Sequence, residues 1–458
     1  MSILLKLLAL LIGACLFCHA SDMVSGSQGG KIPIFPVPRP ANHASLILSN
    51  VSISNSHNFA YLALTSIGGQ NLFVLLDTGS SDLWVVSSGC KQDDCQGVPA
   101  YSPSSSLSLT QSHFQLDYLL GSVKGEVGTE TVTLGPFEIT PQVFALANET
   151  TGLGLTGTGN SGILGLSFPL EAAIPETSGR PLLDNLLSPF NDPERYFAFK
   201  LGRDQSSSSF TVGQIDTDFA NSTSDFTFTS VIPAYASTYD YWKLPIQRIT
   251  INGTNFELSK TGVDGSHVPI AVLDTGTTLI LGPTSDVDRF WQSVGGAVKH
   301  DDLWQVRCDR AIIVGFVLGD SDSAKEYVLN PSDVSWEEGG RRGDYCLGGI
   351  QGNDEVSSGD WLLGDSFLRN VYTIHHAATS NQPPKIGLLG MTDPVSALAQ
   401  YRLERGEDPT PSVAVIATPN SQHSGLNAAA VCGISGASGF VFGFVVSVAL
   451  LFRRWARS

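Results

Sequence analysis

The clearest hydrophobic pattern in the chain is a short apolar run that leads into an aspartate, and this pattern occurs twice. Residues 72–76 read LFVLL and precede Asp77, whereas residues 270–273 read IAVL and precede Asp274. Short apolar runs bounded by turn residues are typical of buried β-strands. The repeat therefore predicts two similar β-rich lobes, each with a strand that places one carboxylate in a tight turn.

The residues that follow the two aspartates also match. The segments are Asp77-Thr78-Gly79-Ser80 and Asp274-Thr275-Gly276-Thr277. One such segment alone would be an ordinary turn at a strand end, but two with matching surroundings indicate a shared site. Two carboxylates held close together cannot both ionise easily, so one keeps its proton. The pair then supplies the base and the acid needed to activate water and cleave an amide.

With these two motifs, the chain resembles the pepsin-like aspartic peptidases over about residues 58–392. Residues 114–118 (FQLDY) with Gly121 and Ser122 are similar to the flap hairpin of that family. Residues 161–166 (SGILGL) and 361–368 (WLLGDSFL) are similar to the segments that cross behind the two aspartates. The resemblance implies a mainly β, bilobal fold, with lobes at 58–225 and 226–395 and the active-site cleft between them.

The same resemblance implies roles for individual residues. Asp77 and Asp274 would share a proton and hold the attacking water, and the neighbouring turn residues would support them: Thr78, Gly79, Ser80, Thr275, Gly276 and Thr277. The flap and substrate-binding residues would be Tyr118, Gly121, Ser122 and Trp84. One departure is the pair Leu119-Leu120, where the family has a small glycine after the flap tyrosine. Two bulky residues there should narrow part of the cleft.

The cysteines and glycosylation motifs fit an exported protein. The spacings of Cys90 with Cys95 and of Cys308 with Cys346 resemble disulfides of the pepsin-like family, although free thiols are the alternative. Acceptor motifs for N-glycosylation begin at Asn50, Asn148, Asn221 and Asn252.

The amino-terminal residues resemble an export signal. Residues 1–20 combine one cation, an apolar stretch and small residues at the end, as in a cleaved signal peptide. Residues 21–57 are a candidate short propeptide. They contain only Lys31 and Arg39 as cations, which gives little support to a basic prosegment that would neutralise the active-site carboxylates.

The carboxyl-terminal residues predict a membrane tether. Residues 396–427 have the composition of a flexible stalk rich in Pro and Ser. Residues 428–452 contain no charged side chain. They would span about 37 Å as a helix, whereas a bilayer core needs about 30 Å. Residues 453–458 are basic and fit a short cytoplasmic tail. The alternative is a lipid-anchor signal with attachment near Ser424, Gly425 or Asn427.

Charge and histidine spacing exclude other classes of protein. The formal charge of −17 argues against binding of nucleic acid through a basic surface. The nine histidines lack metal-ligand spacing, so we expect no metal and no cofactor. The sequence predicts a monomeric aspartic endopeptidase that cleaves polypeptides at acid pH. It would work in the secretory pathway, at the cell surface or at a vacuolar or endosomal membrane. The alternative, an inactive binding protein on the same scaffold, would predict a damaged motif, and both motifs are intact.

The predicted tether is tested by fractionation. The full-length protein should stay in the membrane fraction after carbonate washing, and a chain that ends near Gln400 should be released as soluble, active enzyme. Release by a phosphoinositide-specific lipase would favour the lipid anchor. Recovery of the full-length protein in the soluble fraction would contradict both forms of tether.

Overall fold

The computed structural model describes residues 28–39, 45–48, 51–54, 58–119, 121–157 and 159–407 of the chain. All of these residues belong to one compact unit, residues 1–413. The predicted signal peptide, the segment 428–452, the tail 453–458 and Asn50 lie outside the described residues. Within the described residues, no helix is both long and apolar enough to cross a membrane.

Strands dominate the described residues. Numbered along the chain, they are β1 Gly30–Ile32, β2 Ile34–Arg39, β3 Ser45–Leu48, β4 Val51–Ser54, β5 Asn58–Ile67, β6 Gln70–Asp77, β7 Leu83–Val86, β8 Ser108–Asp117, β9 Ser122–Leu134, β10 Phe137–Thr151, β11 Gly162–Gly165, β12 Tyr196–Lys200, β13 Ser209–Val212, β14 Thr227–Ser230, β15 Lys243–Ile251, β16 Thr254–Phe256, β17 Ile270–Leu273, β18 Ile280–Gly282, β19 Ala297–His300, β20 Leu303–Arg307, β21 Val314–Leu318, β22 Lys325–Val328, β23 Ser335–Arg342, β24 Tyr345–Gly348, β25 Ile350–Gly352, β26 Trp361–Leu363, β27 Val371–His376 and β28 Lys385–Gly390.

The helices of the described residues are short. They are α1 Leu182–Leu187, α2 Thr284–Val294, α3 Pro331–Val334, α4 Asp365–Leu368 and α5 Pro394–Arg405. Single 3₁₀ turns occur at Asp93–Cys95, Leu155–Gly157, Pro169–Glu171, Glu176–Ser178, Asp192–Glu194 and Thr223–Asp225.

Each half of the chain builds a large sheet around the same three-strand arrangement. In the first half the sheet order is β2-β5-β6-β11-β7-β10-β9-β8. In the second half it is β22-β21-β15-β17-β26-β18-β25, with β16 paired to β15. In both, a central strand runs parallel to its first neighbour and antiparallel to its second: β11 between β6 and β7, and β26 between β17 and β18. The predicted mainly β fold with two similar lobes is confirmed.

Local sequence explains how the strand that carries Asp77 is formed. Strands β5 and β6 form a hairpin in which Ile67 pairs with Gln70. The two residues between them, Gly68 and Gly69, have φ values of 54° and 78°. Positive φ at both positions is what a two-residue turn of this kind requires, and glycine adopts it without steric cost. The turn fixes the register of β6 and so the place of Asp77 at its end.

A third sheet takes strands from both halves of the chain, in the order β1-β13-β12-β27-β28-β14. Its first strand lies in the segment 21–57 that the sequence assigned to a candidate propeptide. Lys31 in β1 forms an ion pair with Asp216, with 2.5 Å between Nζ and Oδ2. The next strand, β2, pairs with β5 of the first lobe. The side chains of Ile32 and Ile34 are buried. The fold therefore begins before the predicted boundary at residue 58, because residues 30–39 complete two sheets.

The second lobe ends later than predicted. The composition predicts a stalk from residue 396, but residues 394–405 form α5. This helix packs on the second lobe, since Tyr401 is 1% exposed and its hydroxyl donates a hydrogen bond of 2.6 Å to the carbonyl of Cys308. Arg405 also donates to the carbonyl of Ser335 at 2.6 Å. A soluble variant should accordingly end after Glu407 and not near Gln400.

Both expected disulfides are present in the structure. Cys90 is bonded to Cys95, and Cys308 is bonded to Cys346. Among the predicted glycosylation sites, Asn221 and Asn252 are exposed, whereas Asn148 is partly buried.

The shared sheet contains a fully buried histidine. His375 in β27 is 0% exposed, and its ring stacks on Phe197 with 4.6 Å between ring centres. Trp242 contacts it edge-on at 4.9 Å. Among the described residues, neither ring nitrogen has a hydrogen-bond partner. Burial lowers the pKa of His375 to about 3, because this apolar environment does not solvate the imidazolium. The neighbouring His376 is partly exposed, as strand alternation requires.

This histidine should make the fold sensitive to acid. An unfolded chain has a histidine pKa of about 6.5, so it binds the proton more readily than the folded chain, and stability falls as pH drops from about 6.5 towards 3. We predict that lowering the pH from 6 to 4 reduces the melting temperature of His375→Phe by less than that of the wild type. His376→Gln is the control and should follow the wild type. Equal losses of melting temperature in all three proteins would contradict this assignment.

Candidate active site

The two aspartates lie at the ends of equivalent strands. Asp77 is the last residue of β6 and pairs with Gly165 of β11. Asp274 directly follows β17, whose last residue, Leu273, pairs with Leu363 of β26. Strand β6 runs parallel to β11, and β17 runs parallel to β26. The sequence repeat thus corresponds to a structural repeat, and the two turns meet between the lobes.

Glycine allows the two turns to approach each other. A Cβ atom on Gly79 would lie 2.7 Å from the carboxyl carbon of Asp274, and one on Gly276 would collide with the carboxylate of Asp77. Any larger residue at either position would push the opposite carboxylate away. Each glycine therefore faces the aspartate of the other lobe.

A reciprocal set of hydrogen bonds joins the turns. The amide of Thr78 donates to the hydroxyl of Thr275 at 3.0 Å, and the amide of Thr275 donates to the hydroxyl of Thr78 at 3.0 Å. Each hydroxyl in turn donates across the interface, Thr78 to the carbonyl of Leu273 at 2.9 Å and Thr275 to the carbonyl of Leu76 at 2.8 Å. Both threonines are buried, so these bonds fix the lobes in register.

Each carboxylate receives two further hydrogen bonds from its own turn. The amide of Gly79 donates to Asp77 Oδ1 at 2.8 Å, and the amide of Gly276 donates to Asp274 Oδ1 at 2.8 Å. The hydroxyl of Ser80 donates to Asp77 Oδ2, and that of Thr277 donates to Asp274 Oδ2 at 2.7 Å. The two turns therefore hold their carboxylates in equivalent orientations.

Burial and charge make the pair hard to ionise fully. Asp77 is 5% exposed and Asp274 is 7% exposed. Burial raises the pKa of Asp77, and the charge of Asp274 raises it further, while the hydrogen bonds from Ser80 and Gly79 oppose the shift. A carboxyl group with a raised pKa beside a second carboxylate favours a state with one shared proton.

The predicted flap is the hairpin of β8 and β9. Asp117 pairs with Ser122, and the amide of Tyr118 donates to the carbonyl of Gly121 at 2.9 Å. The hydroxyl of Tyr118 accepts a hydrogen bond of 2.7 Å from the indole nitrogen of Trp84. Tyr118 lines the cleft, but Trp84, Gly121 and Ser122 are not among the described residues that line it. Trp84 holds the tyrosine from behind, and the other two belong to the hairpin itself.

The flap tip carries the bulky residue that the sequence singled out. Leu119 lines the cleft and is 45% exposed. It therefore presents apolar surface where a glycine would present none. Leu120 lies outside the described residues.

A cleft of about 490 Å³ surrounds the two aspartates. Its apolar walls come from two hydrophobic clusters, one in each lobe, represented by Leu75, Leu155, Ile163, Leu279, Leu281 and Leu362. Polar lining residues that sequence reasoning missed are Asn160, Glu171, Tyr241, Asn353, Glu355, Ser357 and Ser358. Leu75 and Val272, which also lines the cleft, could have been found from the sequence, because each lies two residues before an aspartate on the same strand face. The others are brought to the cleft by the tertiary fold.

The comparison with known families agrees with this geometry. Residues 60–386 match the sequence model of the family described as eukaryotic aspartyl protease. The chain belongs to this family. The matched residues include both aspartates, the flap hairpin and the two crossing strands β11 and β26.

Individual aspartyl proteases resemble the chain at moderate identity. Pepsin A of Sus scrofa is 29% identical over 363 residues, which cover 77% of this chain and 87% of that protein. Chymosin of Callithrix jacchus is 29% identical over 313 residues, covering 68% of this chain and 76% of that protein. Major aspartyl peptidase 1 of Cryptococcus neoformans var. grubii is 28% identical over 335 residues, which cover 69% of this chain and 66% of that protein.

Proposed function

We propose that this aspartyl protease is an endopeptidase that hydrolyses peptide bonds of protein substrates at acid pH, with Asp77 and Asp274 as its acid–base pair. The observation that carries the proposal is the placement of two buried carboxylates in one cleft, each facing the glycine of the opposite turn. A peptide bond needs both a base for water and an acid for the departing groups, and a singly protonated pair offers both.

The reaction begins with a water held between the two carboxyl groups. The ionised carboxylate takes a proton from this water as its oxygen attacks the carbonyl carbon of the substrate. The protonated partner gives its proton to the carbonyl oxygen, so that a neutral tetrahedral diol forms. No covalent bond to the enzyme is required.

Collapse of the diol reverses the proton transfers. The carboxyl group that gained the proton from water delivers it to the amide nitrogen, and the C–N bond breaks. The other carboxylate takes back a proton from a diol hydroxyl as the new carboxylic acid forms. The pair ends with one proton, as it began, and is ready for another cycle.

The surroundings of the pair support a polypeptide substrate. The cleft has apolar walls from both lobes, and the flap hairpin provides Tyr118 and Leu119 above it. Such walls fit apolar side chains on both sides of the scissile bond. Closure of the flap would exclude water and position the chain, with Tyr118 held in place by Trp84.

We also propose that the lobes work on the non-cytosolic side of a membrane, at the cell surface or in a vacuolar or endosomal compartment. The two disulfides support an oxidising compartment. The uncharged segment 428–452 supports a carboxyl-terminal tether, either as a retained helix or as a lipid-anchor signal.

The acid–base assignment is tested by replacing each aspartate with its isosteric amide. We predict that Asp77→Asn and Asp274→Asn each reduce kcat/KM for peptide cleavage by at least about 10²-fold, because an amide cannot exchange the proton. Stability should not decrease, since each change removes repulsion between two buried carboxyl groups. Asp192→Asn, at an exposed position, is the matched control.

Activity and folding are measured on the same samples, by cleavage of a quenched fluorescent peptide at acid pH and by thermal unfolding. Near-normal cleavage by a correctly folded Asp77→Asn or Asp274→Asn protein would refute the mechanism. If the wild type binds peptides without cleaving them, the chain is a binding protein on this scaffold.

A further inference from the structure

One carboxylate on the cleft wall takes no part in the acid–base chemistry. Glu171 is the last residue of the turn Pro169–Glu171 in the first lobe, and it lines the cleft. Its Oε2 atom accepts a hydrogen bond of 2.7 Å from the hydroxyl of Tyr241, a residue of the second lobe that also lines the cleft. The two side chains therefore join the lobes inside the substrate cleft.

The segments on either side of this pair are held firmly together. The hydroxyl of Ser167 donates to the carbonyl of Asp240 at 2.7 Å. The ring of Phe168 packs on that of Trp242, with 4.4 Å between ring centres. The hydroxyl of Ser81 donates to the carbonyl of Phe168 at 2.6 Å. The position of Glu171 is thus set by the fold on both sides of the cleft.

Tyr241 acts as a fixed donor to Glu171. Burial raises its pKa, and the hydrogen bond to Glu171 and the negative charges of Glu171, Asp240 and Asp274 raise it further. The hydroxyl therefore keeps its proton and directs it to one carboxylate oxygen. Glu171 and Tyr241 line the same cleft as Asp77 and Asp274.

Among the described residues, the carboxylate of Glu171 forms no ion pair with a lysine, arginine or histidine. Its described hydrogen bond is the one that Oε2 accepts from Tyr241. The described lining of the cleft includes two more carboxylates outside the acid–base pair, Asp117 and Glu355, but neither lysine nor arginine. Lys243 lies near Tyr241, with Nζ 5.8 Å from the centre of its ring, but it is buried and paired with Asp240 at 2.5 Å between Nζ and Oδ2.

We propose that Glu171 is a specificity-determining residue that binds a lysine or arginine side chain of the polypeptide substrate, with Tyr241 as its positioning residue. This inference rests on the proposed peptidase function. An ammonium or guanidinium group would supply the charge and the hydrogen-bond donors that the carboxylate lacks. The apolar walls would still accept apolar side chains at other substrate positions, so the preference concerns one position next to Glu171.

The test uses peptides that differ at one position at a time. In a parent peptide cleaved by the enzyme, each of the four residues on either side of the scissile bond is replaced in turn by lysine or by norleucine, which has the aliphatic chain without the amine. We expect the wild type to prefer lysine at one position by about 10-fold in kcat/KM, as one charge-assisted hydrogen bond supplies.

The variants assign that preference to one carboxylate. In Glu171→Gln the lysine-to-norleucine ratio at that position should fall to about one, whatever happens to the absolute rate. Glu171→Lys should invert the preference, so that a peptide with glutamate at that position is cleaved faster than one with lysine. Tyr241→Phe should reduce the ratio without abolishing it, because the carboxylate remains but is less well oriented. Glu176→Gln, an exposed carboxylate close in sequence and outside the cleft lining, is the control and should keep the wild-type ratio.

The outcomes separate this inference from the proposed function. If the wild type cleaves none of the peptides, the peptidase proposal itself fails. If it cleaves norleucine peptides but shows a ratio near one at every position, or if the ratio survives in Glu171→Gln, only the assignment of Glu171 is overturned.

Discussion

The structure depends on bringing two carboxyl groups, each almost fully buried, into one shared site. Each group alone would prefer to be ionised and solvated, and together they repel each other. The fold opposes this repulsion with the reciprocal hydrogen bonds of Thr78 and Thr275, which connect the turns of the two lobes directly. A net contribution of about 1 kcal/mol for each hydrogen bond is modest, but these bonds act together and set the geometry. The remaining repulsion is what favours a single shared proton.

This constraint explains why the two halves of the chain have the same central arrangement. Each half needs a strand that ends at an aspartate, and a parallel neighbour that supports it from behind. The third sheet is built from strands of both halves and so joins them. It is also where residues 30–32 and the buried His375 lie. Acid that favours the proposed chemistry also acts on this sheet through His375.

Much of this was accessible from the sequence, because the decisive signals were local and repeated. Two apolar runs that end at Asp-Thr-Gly predict both lobes and the aspartates, and the resemblance to pepsin-like peptidases supplies the flap. The limits of the fold were less accessible. Residues 30–39 are rich in proline and isoleucine, and their role depends on partners far along the chain, such as β5 and β13. The composition from residue 396 onwards predicts a stalk, and the packing of helix α5 on the lobe depends on single contacts such as that of Tyr401. The contact of Glu171 with Tyr241 joins residues of different lobes, which spacing alone does not predict.

The pH dependence of kcat/KM tests the central claim most directly. It is measured at low substrate concentration, where it reports on the free enzyme. If one proton is shared by the pair, activity should be maximal in acid and fall on both sides. It falls at low pH because both carboxyl groups become protonated, and at higher pH because both become ionised. The two limiting pKa values would belong to the pair and not to either residue. The raised pKa of Asp77 should extend the upper limb above the range of an ordinary carboxyl group. A rate that is independent of pH, or that rises steadily through neutral pH, would contradict the shared-proton account.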